Sequence, residues 1–243
     1  YGFITIYRDD EFSGEDEGAA PGQAIYFRIN GVPVFSSPTV VWTANGASFE
    51  LCSFSTDNCK ELVLHEGWNL VSWNIAYSDE LENMIDGIEG CVDVILGFEQ
   101  GALTYDPALK AFSTLNNVDY YSGYWFKMTC PATIQLCGPE IASTEAIAIT
   151  PGWNLVGYWP EETLPIGTAL ASIDNLQVAL GYDNGALVHI PGSAEYNTLT
   201  ALGPFFGYWI KSGADDVLAY PGFGGAPLAG GRGRTRPSFH RSA

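Results

Sequence analysis

Basic residues are scarce in this chain. It has 28 Asp and Glu against 10 Lys and Arg, and four of those bases lie in the last dozen residues: Arg232, Arg234, Arg236 and Arg241. Without that tail, 28 acids face 6 bases, a body of charge −22 followed by a tail of +4. Such a body repels phosphate backbones, which excludes nucleic acid as a partner. Cations, neutral glycans and basic segments such as its own tail are the compatible partners.

Long apolar runs and catalytic signatures are also missing. No run of about 18 apolar residues occurs, so no membrane-spanning helix is expected. The sequence lacks G-x-S-x-G, H-E-x-x-H, G-x-x-x-x-G-K and G-x-G-x-x-G. Chance carboxylate pairs are inevitable among 28 acids and do not indicate a glycoside hydrolase. We therefore expect no enzyme, no catalytic residues and no organic cofactor.

The five cysteines are few, but four of them share one spacing. Cys52 and Cys59 form one C-x6-C pair, and Cys130 and Cys137 form another. Zinc sites use closer cysteines or clustered histidines, and the 3 histidines are scattered. We predict a disulfide within each pair and an unpaired Cys91, with free thiols as the alternative. Disulfides imply an oxidising compartment, so an extracellular or cell-surface location is expected. A start at Tyr1 without Met fits removal of a signal peptide and fits an excised fragment equally.

Composition favours an ordered all-β chain. Aromatic residues make up 14%, the hydrophobic set 47% and charged residues only 16%. The 28 glycines and 14 prolines favour many short strands joined by turns. Residues 1–58 are predicted to form a small β-sandwich-like domain, because period-2 alternation over 23–30 leads into the hairpin signal Asn30-Gly31.

An acidic loop between the first two predicted strands is the candidate cation site. Clustered carboxylates are the hard oxygen ligands that calcium takes, and the loop offers them at Asp9, Asp10, Glu15, Asp16 and Glu17. The loop does not match the EF-hand pattern. A solvated surface loop is the alternative.

A tandem repeat organises the remainder of the chain. GWNLV occurs at 67–71 and 152–156, and GYW at 123–125 and 207–209. A shift of 84 aligns 97–127 with 181–211, and 11 of those 31 positions are identical. We predict two homologous β-rich domains, 59–138 and 139–220, each with one short helix. A Gly/Arg-rich tail, 221–243, follows, and its composition alone is that of a flexible segment.

Two resemblances come from these motifs. The pattern GWNLV, central turn and GYW resembles the GWNL-type repeat modules of secreted and cell-surface prokaryotic proteins. The segment 22–32 with 41–43 and 49–51 resembles β-sandwich segments of prokaryotic surface proteins. Both resemblances imply an accessory or structural role rather than a catalytic one. Pro204 and Phe205 before the second GYW depart from the usual repeat.

The aromatic residues of the motifs have two interpretations. We predict that Trp68, Trp153, Trp125 and Trp209 are buried, because a tryptophan buries a large apolar area and its indole N–H needs a partner. Five other rings are the better candidates for exposed stacking surfaces that bind a ligand, with burial in the core as the alternative: Trp73, Tyr120, Tyr121, Tyr158 and Trp159.

Two functions are consistent with these features. The first is an extracellular structural protein, a subunit of a self-assembling surface filament, tube or layer. Its contacts would run head to tail, with the tail arginines meeting the acidic body of the next copy. The second is a glycan- or surface-binding accessory region of a larger secreted protein.

Overall fold

The computed structural model describes residues 58–223 and the backbone of three strands before them. The residues fall into two compact units, one within Tyr1–Cys59 and Cys137–Pro139 and the other within Lys60–Leu136 and Glu140–Ala243. In the first unit, β1 (Phe27–Ile29), β2 (Val32–Ser37) and β3 (Ser53–Ser55) form an antiparallel sheet in that order. Ile29 pairs with Val32, as the Asn30-Gly31 hairpin signal predicts.

The first repeat contributes eight strands and one α-helix. The strands are β4 (Cys59–Leu64), β5 (Gly67–Val71), β6 (Asp79–Glu80), β7 (Val92–Phe98), β8 (Ala102–Tyr105), β9 (Asn117–Val118), β10 (Tyr124–Met128) and β11 (Ala132–Cys137). The helix is α1 (Leu81–Met84), and two 3-10 turns cover Glu89–Cys91 and Pro107–Phe112.

The second repeat has a closely similar element order. Its strands are β12 (Ile147–Ile149), β13 (Gly152–Val156), β14 (Leu164–Pro165), β15 (Leu176–Tyr182), β16 (Ala186–His189), β17 (Ala201–Leu202), β18 (Tyr208–Ser212) and β19 (Asp216–Leu218). The helix is α2 (Ile166–Ala169), and a 3-10 turn covers Ala194–Tyr196.

Both repeats build the same four-stranded antiparallel sheet. Its order is β5-β10-β7-β8 in the first repeat and β13-β18-β15-β16 in the second. Two two-stranded sheets accompany it in each repeat, β6-β9 and β11-β4 in the first and β14-β17 and β12-β19 in the second. The predicted fold class, predominantly β with one short helix in each repeat, is confirmed. No helix among the described residues is long and apolar enough to cross a membrane.

The helix starts differ from the sequence prediction. Asp79 and Glu82 have the spacing of a capping box, which predicts a helix over 79–85, but Asp79 and Glu80 pair with β9 and are extended. The Asp79 Oδ1 atom accepts the Glu80 N–H and the Asn83 side-chain amide instead. Pro165 likewise precedes α2 in an extended conformation rather than occupying its first turn. Strand pairing therefore delays both helix starts.

The structure also corrects which residue of one tight turn has positive φ. In the hairpin turn Asp183-Asn184-Gly185, glycine is the residue that adopts positive φ most readily, so the sequence predicts positive φ at Gly185. Positive φ falls on Asn184 (51°) and on its counterpart Gln100 (54°). Asparagine tolerates this left-handed conformation better than most residues.

Each repeat has its own hydrophobic core beneath the motif strands. In the first core Trp73 lies stacked on Tyr124, with ring centroids 5.4 Å apart, and both side chains are buried. In the second core Tyr158 meets Tyr208 at 6.1 Å and Tyr220 at 5.1 Å. These aromatic rings pack among the aliphatic side chains of the strands.

The asparagine of each GWNLV motif organises the turn before its strand. Asn69 accepts the His65 N–H at 2.9 Å and donates to the His65 carbonyl at 2.7 Å. Asn154 makes the same pair of bonds with Thr150, at 3.0 and 2.8 Å. The glycine that opens the motif has φ of +92° in the first repeat and +95° in the second. The asparagine of this motif therefore satisfies backbone hydrogen-bonding groups of the turn, and the glycine supplies the positive φ that the turn requires.

The two repeats join through reciprocal backbone hydrogen bonds. Gly207 N–H donates to the Leu70 carbonyl at 3.1 Å, and Gly123 N–H donates to the Leu155 carbonyl at 3.3 Å. Gly123 and Gly207 are equivalent under the 84-residue shift, so each repeat gives the other the same contact. The chain just before β18 extends the edge of β5, and the chain just before β10 extends the edge of β13. The four strands are thus linked in a closed circuit of hydrogen bonds.

The centre of this junction is glycine against glycine. A Cβ on Gly207 would lie 3.1 Å from the Gly123 Cα atom and 2.8 Å from the Val71 carbonyl oxygen. A Cβ on Gly123 would lie 3.0 Å from both a Leu155 methyl group and the Val156 carbonyl oxygen. The close approach explains why the first position of GYW is glycine in both repeats.

The junction departs from symmetry at one pair of positions, Ser72 and Gly157. The Ser72 Oγ atom donates to the Phe206 carbonyl at 2.7 Å and accepts the Tyr158 N–H at 3.0 Å. A Cβ on Gly157 would lie only 2.6 Å from the Tyr120 carbonyl oxygen. Serine therefore fits on one side of the junction, and only glycine fits on the other.

The disulfide pairing predicted from spacing is wrong. Cys59 bonds Cys137, and Cys91 bonds Cys130, so Cys91 is not unpaired. Cys59 opens β4 and Cys137 closes β11, and these strands are neighbours in a two-stranded sheet. Sheet pairing rather than closeness in sequence brings the thiols together.

Several predicted positions lie outside the described residues. They are the acidic-loop residues Asp9, Asp10, Glu15, Asp16 and Glu17, together with Cys52 and the tail arginines Arg232, Arg234, Arg236 and Arg241. Between residues 58 and 223, no group of three or more His, Cys, Asp or Glu side chains is placed to hold a metal ion.

Candidate functional site

Three of the five rings expected to form exposed stacking surfaces are buried. Trp73 and Tyr158 are fully buried and Trp159 is 1% exposed, so that prediction is wrong for them. The Trp73 indole N–H donates to the Tyr77 carbonyl at 2.9 Å, and the Trp159 indole N–H donates to the Tyr120 carbonyl at 2.7 Å. Both tryptophans therefore meet the demands of core residues.

The other two rings, Tyr120 and Tyr121, are half-buried and packed together. Their centroids lie 4.2 Å apart, and both contact Trp159. The Tyr120 hydroxyl donates to the Tyr121 hydroxyl at 2.8 Å, and Tyr121 donates to the Glu145 carboxylate at 2.7 Å. Burial first, and then these hydrogen bonds, raise the pKa of Tyr121 far above its usual value. The pair is part of the packing around Trp159 and offers no open ring face.

The exposed aromatic surface is formed by the tryptophans that were expected to be buried. Trp68 is 40% exposed and Trp153 is 38% exposed, so they do not occupy core positions. Trp125 and Trp209 are half-buried. The prediction of burial is wrong because these side chains point to the sheet face opposite the core.

Strand alternation fixes this orientation. In β10, Tyr124, Phe126 and Met128 are buried, so Trp125 and Lys127 face the other side of the sheet. β18 has the same pattern, with Trp209 and Lys211 on the outer face. A charged residue two positions after each tryptophan was the sequence signal of an outward face. It was missed.

The outward rings form two rows that each cross between the repeats. In the first row, Trp68 meets Trp125 edge to face at 5.8 Å, and Trp125 meets Tyr182 of the second repeat at 5.1 Å. We call these three rings the first aromatic row. Edge-to-face contacts at these distances are favourable because the positive ring edge meets the negative ring face.

The second aromatic row is built from equivalent positions. Trp153 meets Trp209 at 6.1 Å, and Trp209 meets Phe98 of the first repeat at 5.0 Å. Phe98 and Tyr182 correspond under the 84-residue shift, so the rows are reciprocal. One molecule therefore presents two related aromatic surfaces on a rigid frame.

A lysine lies beside each exposed tryptophan, but the two lysines differ in their partners. Lys127 Nζ lies 5.7 Å from the Trp68 ring centre, and Lys211 Nζ lies 5.8 Å from the Trp153 ring centre. Lys127 also forms a 2.7 Å salt bridge with Asp93.

Lys211 has no such carboxylate. Its counterpart of Asp93 is Gln177, and both residues sit at the irregular step where the strand meets β10 or β18. Lys60, Lys110 and Lys127 all form salt bridges, so Lys211 is the lysine between residues 58 and 223 without one.

Comparison with known proteins gives no relative for this chain: no family model, no curated protein and no solved structure matches it.

Proposed function

We propose that this chain is a non-catalytic structural protein of the cell exterior, a subunit of a surface filament, tube or layer. The observation that carries the proposal is the reciprocal junction of the repeats. Backbone hydrogen bonds link β5, β10, β13 and β18 in a closed circuit, and two disulfides tie distant parts of the first repeat. Such a frame resists local opening, as a load-bearing element requires.

The disulfides also support the location. Cys59–Cys137 and Cys91–Cys130 are bonds of an oxidising compartment outside the cytoplasm. Placement at the cell surface is the finer proposal, supported by the resemblance of the GWNLV and GYW motifs to modules of surface proteins.

Head-to-tail polymerisation is the assembly mode we propose. The acidic body and the four tail arginines have opposite charge, and a contact between different surfaces of two copies propagates when its rotation does not close. Any strand edge used for such a contact must be unoccupied. The outer edge of β8 is already taken, because Thr104 O accepts the Thr114 and Leu115 N–H groups.

Electron microscopy and light scattering of the oxidised full chain test this function. Regular polymers that grow with protein concentration support the proposal, and a chain that stays monomeric at high concentration overturns it. Replacing Arg232, Arg234, Arg236 and Arg241 by Gln keeps the tail length and removes its charge. Unchanged polymers in that variant would exclude the arginines as the connector.

A glycan-binding accessory role is the second candidate, and one observation favours it. Trp68 and Trp153 are exposed at the ends of two aromatic rows, and a lysine side chain, Lys127 or Lys211, lies near each ring. Sugar rings stack their C–H faces on indoles and use their hydroxyl groups for polar contacts. Pull-down on insoluble polysaccharides with Trp68→Ala, Trp153→Ala and the double variant tests this role.

A further inference from the structure

Lys211, beside the second aromatic row, has no carboxylate partner among residues 58–223, whereas Lys127, beside the first row, is paired with Asp93. We infer that the Trp153–Lys211 surface is a binding site for a carboxylate-bearing sugar residue of the uronate type, and that its counterpart at Trp68 is blocked for such a ligand by Asp93. This inference rests on the glycan-binding candidate and names its ligand class.

The aromatic part of the site is Trp153, supported by its neighbour. Trp209 holds the Trp153 ring edge to face, so the platform is oriented before a ligand arrives. Trp153 keeps 38% of its surface exposed, so part of the indole is accessible to a ligand. The pairing of Trp153 and Lys211 on adjacent strands places the ammonium group beside that ring.

The charge on the site determines which sugar it prefers. An ammonium group near an indole face and without a carboxylate partner gains most from a ligand that carries its own carboxylate. In the first repeat Asp93 already supplies that carboxylate, 2.7 Å from Lys127. A uronate there would bring a second negative charge against Asp93.

The chain as a whole is acidic, with a net charge of −18, so a long polyanion would be repelled. A short uronate oligosaccharide avoids most of this repulsion. At an ionic strength of about 0.15 M the screening length is about 8 Å, so distant charges are damped while the Lys211 contact persists.

Isothermal titration of the oxidised full chain with tetragalacturonate tests the inference. The fully methyl-esterified tetrasaccharide is the matched ligand, because it has the same rings without the charges. We expect one site for tetragalacturonate and affinity up to about fivefold lower for the ester, the upper end for an exposed ion pair.

Exchange of one residue between the repeats gives the sharpest variants. Gln177→Asp recreates the acid that blocks the first repeat and should abolish the preference for the acidic sugar. Asp93→Gln frees Lys127 and should raise the stoichiometry for tetragalacturonate from one to two. Both substitutions change an exposed side chain and leave the tryptophans in place, so folding is not at stake.

The remaining outcomes also decide the matter. Trp153→Ala should weaken tetragalacturonate binding about tenfold. Equal affinity for the acid and its ester would overturn the uronate preference but leave glycan binding standing. No binding of either sugar would overturn the inference, and the pull-down on insoluble polysaccharides would then decide glycan binding on its own. Equal binding of tetraglutamate would mean recognition of a carboxylate without a sugar ring and would also overturn the inference.

Discussion

Gly207→Ala probes the junction of the repeats with a single methyl group. The new Cβ atom would lie 2.8 Å from the Val71 carbonyl oxygen, 3.1 Å from the Gly123 Cα atom and 3.3 Å from a Leu70 methyl group. Two of these three neighbours are backbone atoms, which cannot rotate away. Because the φ of Gly207 is not in the left-handed region, the effect of alanine is steric rather than conformational.

Relief of this overlap requires the strands at the junction to separate. Overpacking of a tight site costs about 1–3 kcal/mol. Separation also weakens the bond from Gly207 N–H to the Leu70 carbonyl, for which about 1 kcal/mol is typical. We therefore expect the free energy of unfolding to fall by about 2–4 kcal/mol. For a chain of this size that lowers Tm by about 5–15 °C.

Guanidinium unfolding of the oxidised chain, followed by tryptophan fluorescence, measures the change. Gly185→Ala is the matched control, because no atom lies within 4 Å of a Cβ there and its φ is not left-handed. The control should change stability by less than about 1 kcal/mol, in the stabilising direction if at all. If Gly207→Ala unfolds within about 0.5 kcal/mol of the control, the tight glycine junction described above is incorrect.

Three further changes test other parts of the structure. Asn74 is buried, and its side-chain amide N and O atoms have no hydrogen-bond partner among residues 58–223. Asn74→Leu should therefore raise the free energy of unfolding by about 1–2 kcal/mol in the same assay. A lower free energy of unfolding would mean that the amide is hydrogen-bonded. The double variant Cys91→Ala, Cys130→Ala should lose about 4 kcal/mol of unfolding free energy, because that bridge spans 39 residues. If the double variant is as stable as the original chain under both reducing and oxidising conditions, the bridge is not present. Burial raises the pKa of the core tyrosines Tyr158, Tyr208 and Tyr220, to about 12 for Tyr158. The stability that these neutral rings contribute is therefore fully present below about pH 10 and falls as the pH rises further, by up to about 1.4 kcal/mol per pH unit for each ring. Circular dichroism compared with tyrosinate absorbance checks this, and ionisation without unfolding would contradict it.

Local patterns in the sequence predicted several strands and part of the turn chemistry, although positive φ falls on Asn184 rather than on Gly185. Apolar patterning predicts strands over 92–98 and 102–105, which are the bounds of β7 and β8. Asparagine is a residue type that bonds backbone groups at turns, and the asparagine of GWNLV does so here. These features depend on residues within a few positions of one another. Period-2 alternation and asparagine side-chain bonds need no knowledge of the rest of the chain.

The candidate site could not be predicted in the same way. Trp68 and Trp73 both look like core residues by hydrophobicity, yet only Trp73 is buried. The difference lies in which sheet face each side chain takes and in what covers that face. The side chain of Lys127, two positions after Trp125 on the same face, was the available clue. The prediction of the disulfide pairing failed for a related reason, because Cys59 and Cys137 are 78 residues apart in sequence and meet through strand pairing.

Equivalent positions of the two repeats carry different residues, Ser72 and Gly157, and this is possible because both repeats belong to one chain. In a homodimer of identical repeats, both positions would carry the same residue. Two glycines would lose the bonds of the Ser72 hydroxyl to Phe206 and Tyr158, and two serines would force a Cβ to within 2.6 Å of the Tyr120 carbonyl. A single chain that carries both repeats escapes this choice. Fusion lets each half specialise at the symmetry axis, and the same freedom separates Asp93 from Gln177.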